Sequence, residues 1–167
     1  AGSVFVRRDE ISLSPDATGK DEIHRIRPRL LLKVAQNDAT PFPFREMTLP
    51  FDSKSVAGYV GTSGKVVNVP DLYNLKEKAS FSYSTTFDQI SGYKCRSMLV
   101  VPMQKQDGEI IGVIQLINKR VAGSVVAFDE VDEEYLLALA SQAAVCVEKG
   151  QLQSDIEGMF EALVNSF

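Results

Sequence analysis

Apolar runs broken by polar turns divide the chain into short strands first and one long helix last. Gly2-Ser3-Val4-Phe5-Val6 reads as a strand, and Ile11-Ser12-Leu13 alternates as its continuation or partner. Leu30 to Ala35 is a further strand, Val66-Val67-Asn68-Val69 a short one that Pro70 stops, and Ser97 to Pro102 a buried one. Asp107-Gly108 turns the chain into Ile110-Ile111-Gly112-Val113-Ile114-Gln115-Leu116-Ile117, almost continuously apolar, as a strand covered on both faces requires. Pro15 to Pro28 is polar and charged, which predicts a long exposed connection, and Asn37 to Pro50 predicts an irregular crossing segment. Ser55 to Val60 predicts one or two helical turns ended by Gly61 and Gly64. Thr85-x-x-Asp88 has capping-box spacing, so a short helix is expected over Thr85 to Ile90.

The last element runs from Asp129 to about Phe167, and its acidic opening suits the positive end of a helix dipole. Leu137, Ala140, Ala144 and Val147 recur at helical spacing, as do Leu152, Ile156, Met159, Phe160, Leu163 and Phe167. Gly150 between the two stripes predicts a phase change or weak point. The second stripe lies beyond the domain, so it predicts a homodimer through the C-terminal helix, most simply a parallel one. Strands, a central irregular segment, further strands and a long helix together predict an α+β sandwich. The expected division is a domain over 1–148 and a connector helix over 149–167.

Composition narrows the function classes. At 167 residues with 44% hydrophobic and 24% charged content, the chain suits one soluble domain plus an appendage. A net charge of -4 argues against nucleic acid, and Arg25, Arg27, Arg29 and Lys33 read as a solvated face. Two cysteines, Cys95 and Cys146, show no metal spacing and favour a reducing, cytoplasmic compartment. Cys95 reads as a buried thiol and Cys146 as helix packing. No signal peptide or membrane-spanning apolar run stands out, so no membrane insertion is expected. The single histidine, His24, falls in the expected exposed loop, and neither a metal cluster nor a catalytic Cys–His pair is in view. The chain opens in strand-like sequence and ends in helical sequence, which reads as a piece of a longer protein.

An ordered set of short runs carries a family resemblance. It comprises Val56-Ala57-Gly58-Tyr59-Val60, Val67-Asn68-Val69-Pro70-Asp71, Phe87-Asp88, Gly92-Tyr93-Lys94-Cys95-Arg96-Ser97 and Leu99-Val100-Val101-Pro102-Met103. It closes on Asp107-Gly108 through Asn118-Lys119, followed by Phe128-x-x-x-Asp132-Glu133. In order and spacing this resembles GAF domains, and the final motif resembles the NK-F-DE signature of GAF domains in cyclic-nucleotide phosphodiesterases. The resemblance implies a GAF-like central antiparallel sheet of five or six strands, with helices on both faces and a long C-terminal helix. It implies a regulatory, non-catalytic sensor, with a cyclic nucleotide as the leading ligand. Asp155 to Phe167 resembles the connector into bacterial HD or HD-GYP phosphohydrolase domains, which implies a metal-dependent phosphohydrolase as output.

Two groups of residues are candidate sites. A nucleotide needs an apolar or aromatic wall for its base and N–H or hydroxyl donors for its phosphate. Phe81, Ser84, Thr85, Thr86 and Asp88, with Tyr83 among them, offer both, and Gly58 and Asp71 are expected at neighbouring edges of the same cavity. Asn118, Lys119, Phe128, Asp132 and Glu133 form the second group, where Lys119 and Asp132 are expected to latch the last strand to the long helix. A surface ion pair contributes only about 0 to 1 kcal/mol, so such a latch fixes geometry more than stability. The alternative reading is a dimerisation and signal-relay module whose pocket is vestigial.

Overall fold

The computed structural model describes residues 2–15, 18, 21–36, 48–75 and 79–165. Its six-stranded sheet is antiparallel throughout, in the order β3-β2-β1-β6-β5-β4. The strands are β1 (Gly2–Pro15), β2 (Asp21–Gln36), β3 (Thr48–Pro50), β4 (Val67–Val69), β5 (Met98–Gln104) and β6 (Ile110–Ile117). A two-stranded ribbon, β7 (Lys119–Val121) and β8 (Ser124–Val126), follows β6. The helices are α1 (Val56–Ser63), α2 (Thr86–Ser91) and α3 (Glu130–Asn165), with a 3-10 turn over Leu72–Asn74.

Side-chain alternation on the central strands builds two cores, one on each sheet face. Met98 and Val100 of β5 join Phe5, Leu30, Val56, Ala57, Val60 and Leu72 on the α1 side. Leu99, Val101 and Met103 point the other way and pack with Leu136, Ala140 and Ala144 of α3. The fold is α+β with helices on both faces, and the near-continuous apolarity of β5 and β6 follows from that double cover.

Several expectations change. The stretch expected as a loop, Pro15 to Pro28, contributes most of its residues to strands, and β1 and β2 pair from Gly2↔Gln36 to Pro15↔Asp21. Pro28 is accommodated because, among the described residues, β3 pairs with Arg29, Leu30 and Leu31 and no strand pairs with β2 on its outer side at Pro28. His24 therefore lies in β2. The irregular segment over 37–47 is outside the described residues, and Thr48–Pro50 beyond it is a strand.

On α3 the sheet-facing stripe begins at Leu136, 5% exposed, whereas Leu137 is 37% exposed. Leu136, Ala140, Ala143, Ala144 and Val147 keep helical spacing, and their small alanines let the backbone lie close to β5. Cys146 is exposed, so it does no packing against the sheet. The helix runs through Gly150 without interruption, and a Cβ there meets nothing within 4 Å. Gly61 lies buried inside α1, and Gly64 alone ends that helix, in the left-handed region at φ 70.

Candidate functional site

Asp88, only 6% exposed, gathers the segment between β4 and β5. Its Oδ2 accepts from the Tyr73 hydroxyl at 2.5 Å and the Cys95 N–H at 3.1 Å, and its Oδ1 accepts from the Tyr83 hydroxyl at 2.7 Å. A buried carboxylate without donors is costly, so three internal donors outweigh a solvent-exposed cap. The expected capping box at Thr85 is accordingly not made: Thr85 gives no side-chain cap, and its Oγ1 accepts weakly from Gln89 at 3.5 Å. Gly92 closes α2 at φ 71 by donating its N–H to Asp88 O.

The donors around Asp88 stay protonated. The bond to Asp88, and after it burial, pushes the Tyr73 phenol up to about 12. Burial drives the Tyr83 phenol well above its ordinary range, and bonds to Cys95 and Asp88 add to this. Burial likewise pushes the Cys95 thiol up to about 12, only partly offset by Tyr83. A neutral thiol at 3% exposure is packing and hydrogen bonding, not a nucleophile.

The other candidate residues divide into supports and surface. Gly58 sits in the first turn of α1, where a Cβ would lie 2.3 Å from Asp52 O and 2.7 Å from Pro50 O. It is a close-approach position, and its N–H is taken by the N-cap Ser55. Asp71 caps the 3-10 turn, with Oδ1 accepting from Tyr73 N–H and Oδ2 from the Asn74 amide. Phe81 is half-buried against the α1-side core, its ring 5.4 Å from that of Tyr59. Ser82 ties this stretch to the loop before α1 through Ser53 O and Lys54 O. Ser84 is exposed, and Thr86 opens α2 with its side chain outside the described set. Gly58, Asp71 and Asp88 thus shape the segment with polar atoms already engaged, while Phe81, Ser84 and Thr85 lie nearer its surface.

The second group joins this segment to α3. Asn118, buried and at φ 58, accepts from Arg96 N–H at 2.7 Å and donates to Lys94 O at 2.8 Å, so it grips both neighbours of Cys95. Its own N–H reaches Ser97 O, and the Lys119 N–H reaches Ser97 Oγ. The Lys119 ammonium then lies 2.5 Å from Asp132 Oδ2 and 3.3 Å from Asp129 Oδ2. Asp129 and Asp132 each accept the other's backbone N–H, at 2.9 and 2.8 Å, a reciprocal cap on α3. The Asp132 N–H holds the Asp129 carboxyl below its usual range, and the bond to Asp132 raises the Lys119 ammonium. Glu133 accepts from Asn68 of β4, which also donates to Phe128 O, and the Phe128 ring packs on the α3-side core.

Sequence reasoning did not single out Tyr73, Tyr83, Asn68 or Ser97 for these tasks. Tyr73 and Tyr83 flank a polar stretch without periodicity, and only the fold brings their hydroxyls to one carboxylate. Asn68 carried a signal, as the polar residue between two strand valines, and it points to the α3 side while its neighbours face α1. Among the described residues no cluster of His, Cys, Asp or Glu has metal-binding geometry, and no helix is long and apolar enough to cross a membrane.

The GAF domain model matches residues 2–147. The chain belongs to the GAF domain family. Within that family it is 37% identical over 107 residues to the dual 3',5'-cyclic-AMP and -GMP phosphodiesterase 11A of Takifugu rubripes, covering 64% of this chain and 11% of that protein. It is 30% identical over 97 residues to the Drosophila melanogaster phosphodiesterase 11, covering 58% of this chain and 6% of that protein. This GAF domain therefore corresponds to a small part of each relative. Among solved structures, the GAF domain of an Acinetobacter phosphoenolpyruvate-protein phosphotransferase superposes with TM-score 0.58 at 18% identity, covering 92% of this chain and 73% of that one. A methyl-accepting chemotaxis protein fragment gives TM-score 0.57 at 18% identity, covering 90% and 79%. These two structures establish the fold. A GAF domain is a regulatory domain and not a catalytic one.

Proposed function

We propose that this GAF domain senses a small ligand, a cyclic nucleotide foremost, and passes its presence to α3. The observation that carries the reading is a continuous run of bonds from the Asp88 cluster to the first turn of α3. It passes through the Cys95 N–H, the flanking Lys94 and Arg96 backbone, the Asn118 side chain and Lys119. Phe81 with Tyr59 supplies an aromatic surface for a base, and Ser84, Thr85 and Thr86 supply hydroxyls for a phosphate. Ligand held there shifts the Phe81–Asp88 segment, Asp88 drags Cys95 with it, and Asn118 transfers the displacement to the latch. By linkage, the state of α3 sets ligand affinity in return.

Both the 155–167 connector and the relatives favour a phosphodiester-cleaving output beyond α3. The connector favours an HD or HD-GYP phosphohydrolase of a bacterial, cytoplasmic protein, whereas the relatives are animal cyclic-nucleotide phosphodiesterases. The test of ligand sensing is thermal unfolding with cAMP, cGMP and cyclic di-GMP at millimolar concentration. One of them is expected to raise the midpoint, since ligand at a hundred times its Kd contributes about 2.7 kcal/mol. No shift with any of the three overturns the nucleotide assignment. It then favours the relay module without a ligand, a reading supported by the engaged polar atoms of Gly58, Asp71 and Asp88.

A further inference from the structure

The opening of α3 is held at two points that lie on opposite sides of β5. In the sheet β5 sits between β6 and β4, and α3 packs on its Leu99, Val101 and Met103. Lys119, just after β6, binds Asp129 and Asp132, whereas Asn68 of β4 binds Phe128 and Glu133. The helix start is thus pinned across β5, once by an ammonium and once by an amide. We propose that β4 and the turn after it form a second relay into α3, with Tyr73 its input and Asn68 its positioning residue. The inference rests on the relay part of the proposed function and needs no ligand.

Asn68 is suited to set the angle of α3 in a way that Lys119 is not. An ammonium holds a carboxylate from many directions, but a planar amide aims its two N–H groups. Asn68 Nδ2 donates to Glu133 Oε1 at 2.8 Å and to Phe128 O at 3.0 Å. Both partners are acceptors, so the amide nitrogen and not its oxygen must face α3. One bond holds the residue before the Asp129 cap, and the other holds the first turn of the helix. The Phe128 ring enters the α3-side core, so the seating of that ring and of the helix are fixed together. Strand alternation makes this possible, since Val67 and Val69 enter the α1-side core and Asn68 between them turns to α3.

The other end of the same short unit reaches the Asp88 cluster. Asp71 accepts the Tyr73 N–H, the Leu72 N–H donates to Arg96 O, and the Tyr73 hydroxyl donates to Asp88. Pro70 fixes φ between strand and turn, so Val67 to Tyr73 moves as one piece. Among the described residues β4 is a three-residue edge strand paired only with Met98, Leu99 and Val100. So short an edge costs less to displace than the central strands. Tyr73 is 40% exposed, with the Lys94 ammonium 4.3 Å above its ring, so its hydroxyl bond lies at the surface of the cluster. A change there arrives at Glu133 along β4, without passing through Asn118 or Lys119.

The experiment reads amide exchange in the 167-residue chain under native conditions. Asn68→Asp sets a carboxylate against Glu133 and Phe128 O, and is expected to speed exchange at residues 129–134 about tenfold or more. Adding Glu133→Gln supplies an amide donor to that carboxylate, and is expected to restore exchange to within about threefold of the parent. A loss of packing alone gives no such rescue. Glu133→Ala removes the same tie without touching the sheet, and is expected to speed the same residues with β4 intact. Tyr73→Phe leaves the Cys95 N–H on Asp88, and is expected to speed exchange at residues 67–69 and 129–134, in a Lys119→Met background as well. Unchanged exchange at 129–134 in both Asn68→Asp and Glu133→Ala, absence of rescue, or a Tyr73→Phe effect lost in the Lys119→Met background overturns the second relay. Failure of every nucleotide to bind overturns the ligand assignment instead and leaves these expected outcomes as they stand.

Discussion

At the scale of single residues, Asp88 is the position on which the candidate ligand segment turns. It looked like a surface cap or ligand group, and it is a buried acceptor for two phenols and one backbone N–H. Asp88→Ala removes the acceptor that all three donors share and is expected to cost about 2–4 kcal/mol in urea unfolding. Asp88→Asn keeps one carbonyl acceptor and is expected to lose less. Gly58→Ala drives a methyl into Asp52 O and should cost about 1–3 kcal/mol, whereas ligand contact alone at this site predicts unchanged stability. The cluster also sets an alkaline limit. Cys95 rises from an ordinary 9.0, and Tyr73 from 10.0, each to about 12 in the folded chain. Groups raised on folding stabilise fully below the unfolded value and lose that contribution as pH climbs through the folded one. Stability is thus expected to fall between about pH 9 and 12. Cys95→Ala should flatten the first part of that fall, as followed by tyrosinate absorbance and circular dichroism. Residue types near this cluster were visible in the sequence, but their partners were not, because Asp88, Tyr73 and Cys95 converge from three separate segments.

Among elements, the start of α3 is the most informative. The Asp129–Asp132 cap and Lys119 were legible, since a strand-end cation and helix-opening acids follow simple dipole and capping rules. Asp129 is lowered on folding, so its contribution is present above the ordinary 3.8 and is lost as pH falls. Lys119 is raised, so its contribution holds below 10.5 and fades above it. The latch is therefore expected to stay closed across the neutral range and to fray at both extremes. Lys119→Met should change the unfolding midpoint little but speed amide exchange in the first turn of α3. Asn118 separates backbone from side chain: Asn118→Gly keeps φ 58 and loses both bridges, while Asn118→Ala loses the bridges and adds backbone strain. Both variants should uncouple Lys94 and Arg96, with Ala the less stable of the two in urea. The first half of β2, read as part of a loop, and the ribbon β7–β8 were not legible as strands. Pro28 and the arginines hid the alternation of β2, and Ala122-Gly123 at φ 50 and 81 turns a stretch too short to show any period.

At the scale of the whole molecule, two cores on one sheet explain how the candidate ligand segment and the long helix share a scaffold. The α1 side carries the candidate ligand segment, the α3 side carries the helix, and Asn118 lies where the two layers exchange hydrogen bonds at the end of β6. The order of layers was readable from apolar runs, and family membership follows from residues 2–147. The connection between layers was not readable, because it runs through backbone groups of Lys94, Cys95 and Arg96 that no residue pattern marks. Its most direct test is amide hydrogen exchange in Asp88→Asn, compared with the parent chain under native conditions. Faster exchange at residues 94–97 together with residues 129–134 is the expected result. Faster exchange confined to residues 79–97, with the first turn of α3 unchanged, would contradict the coupling.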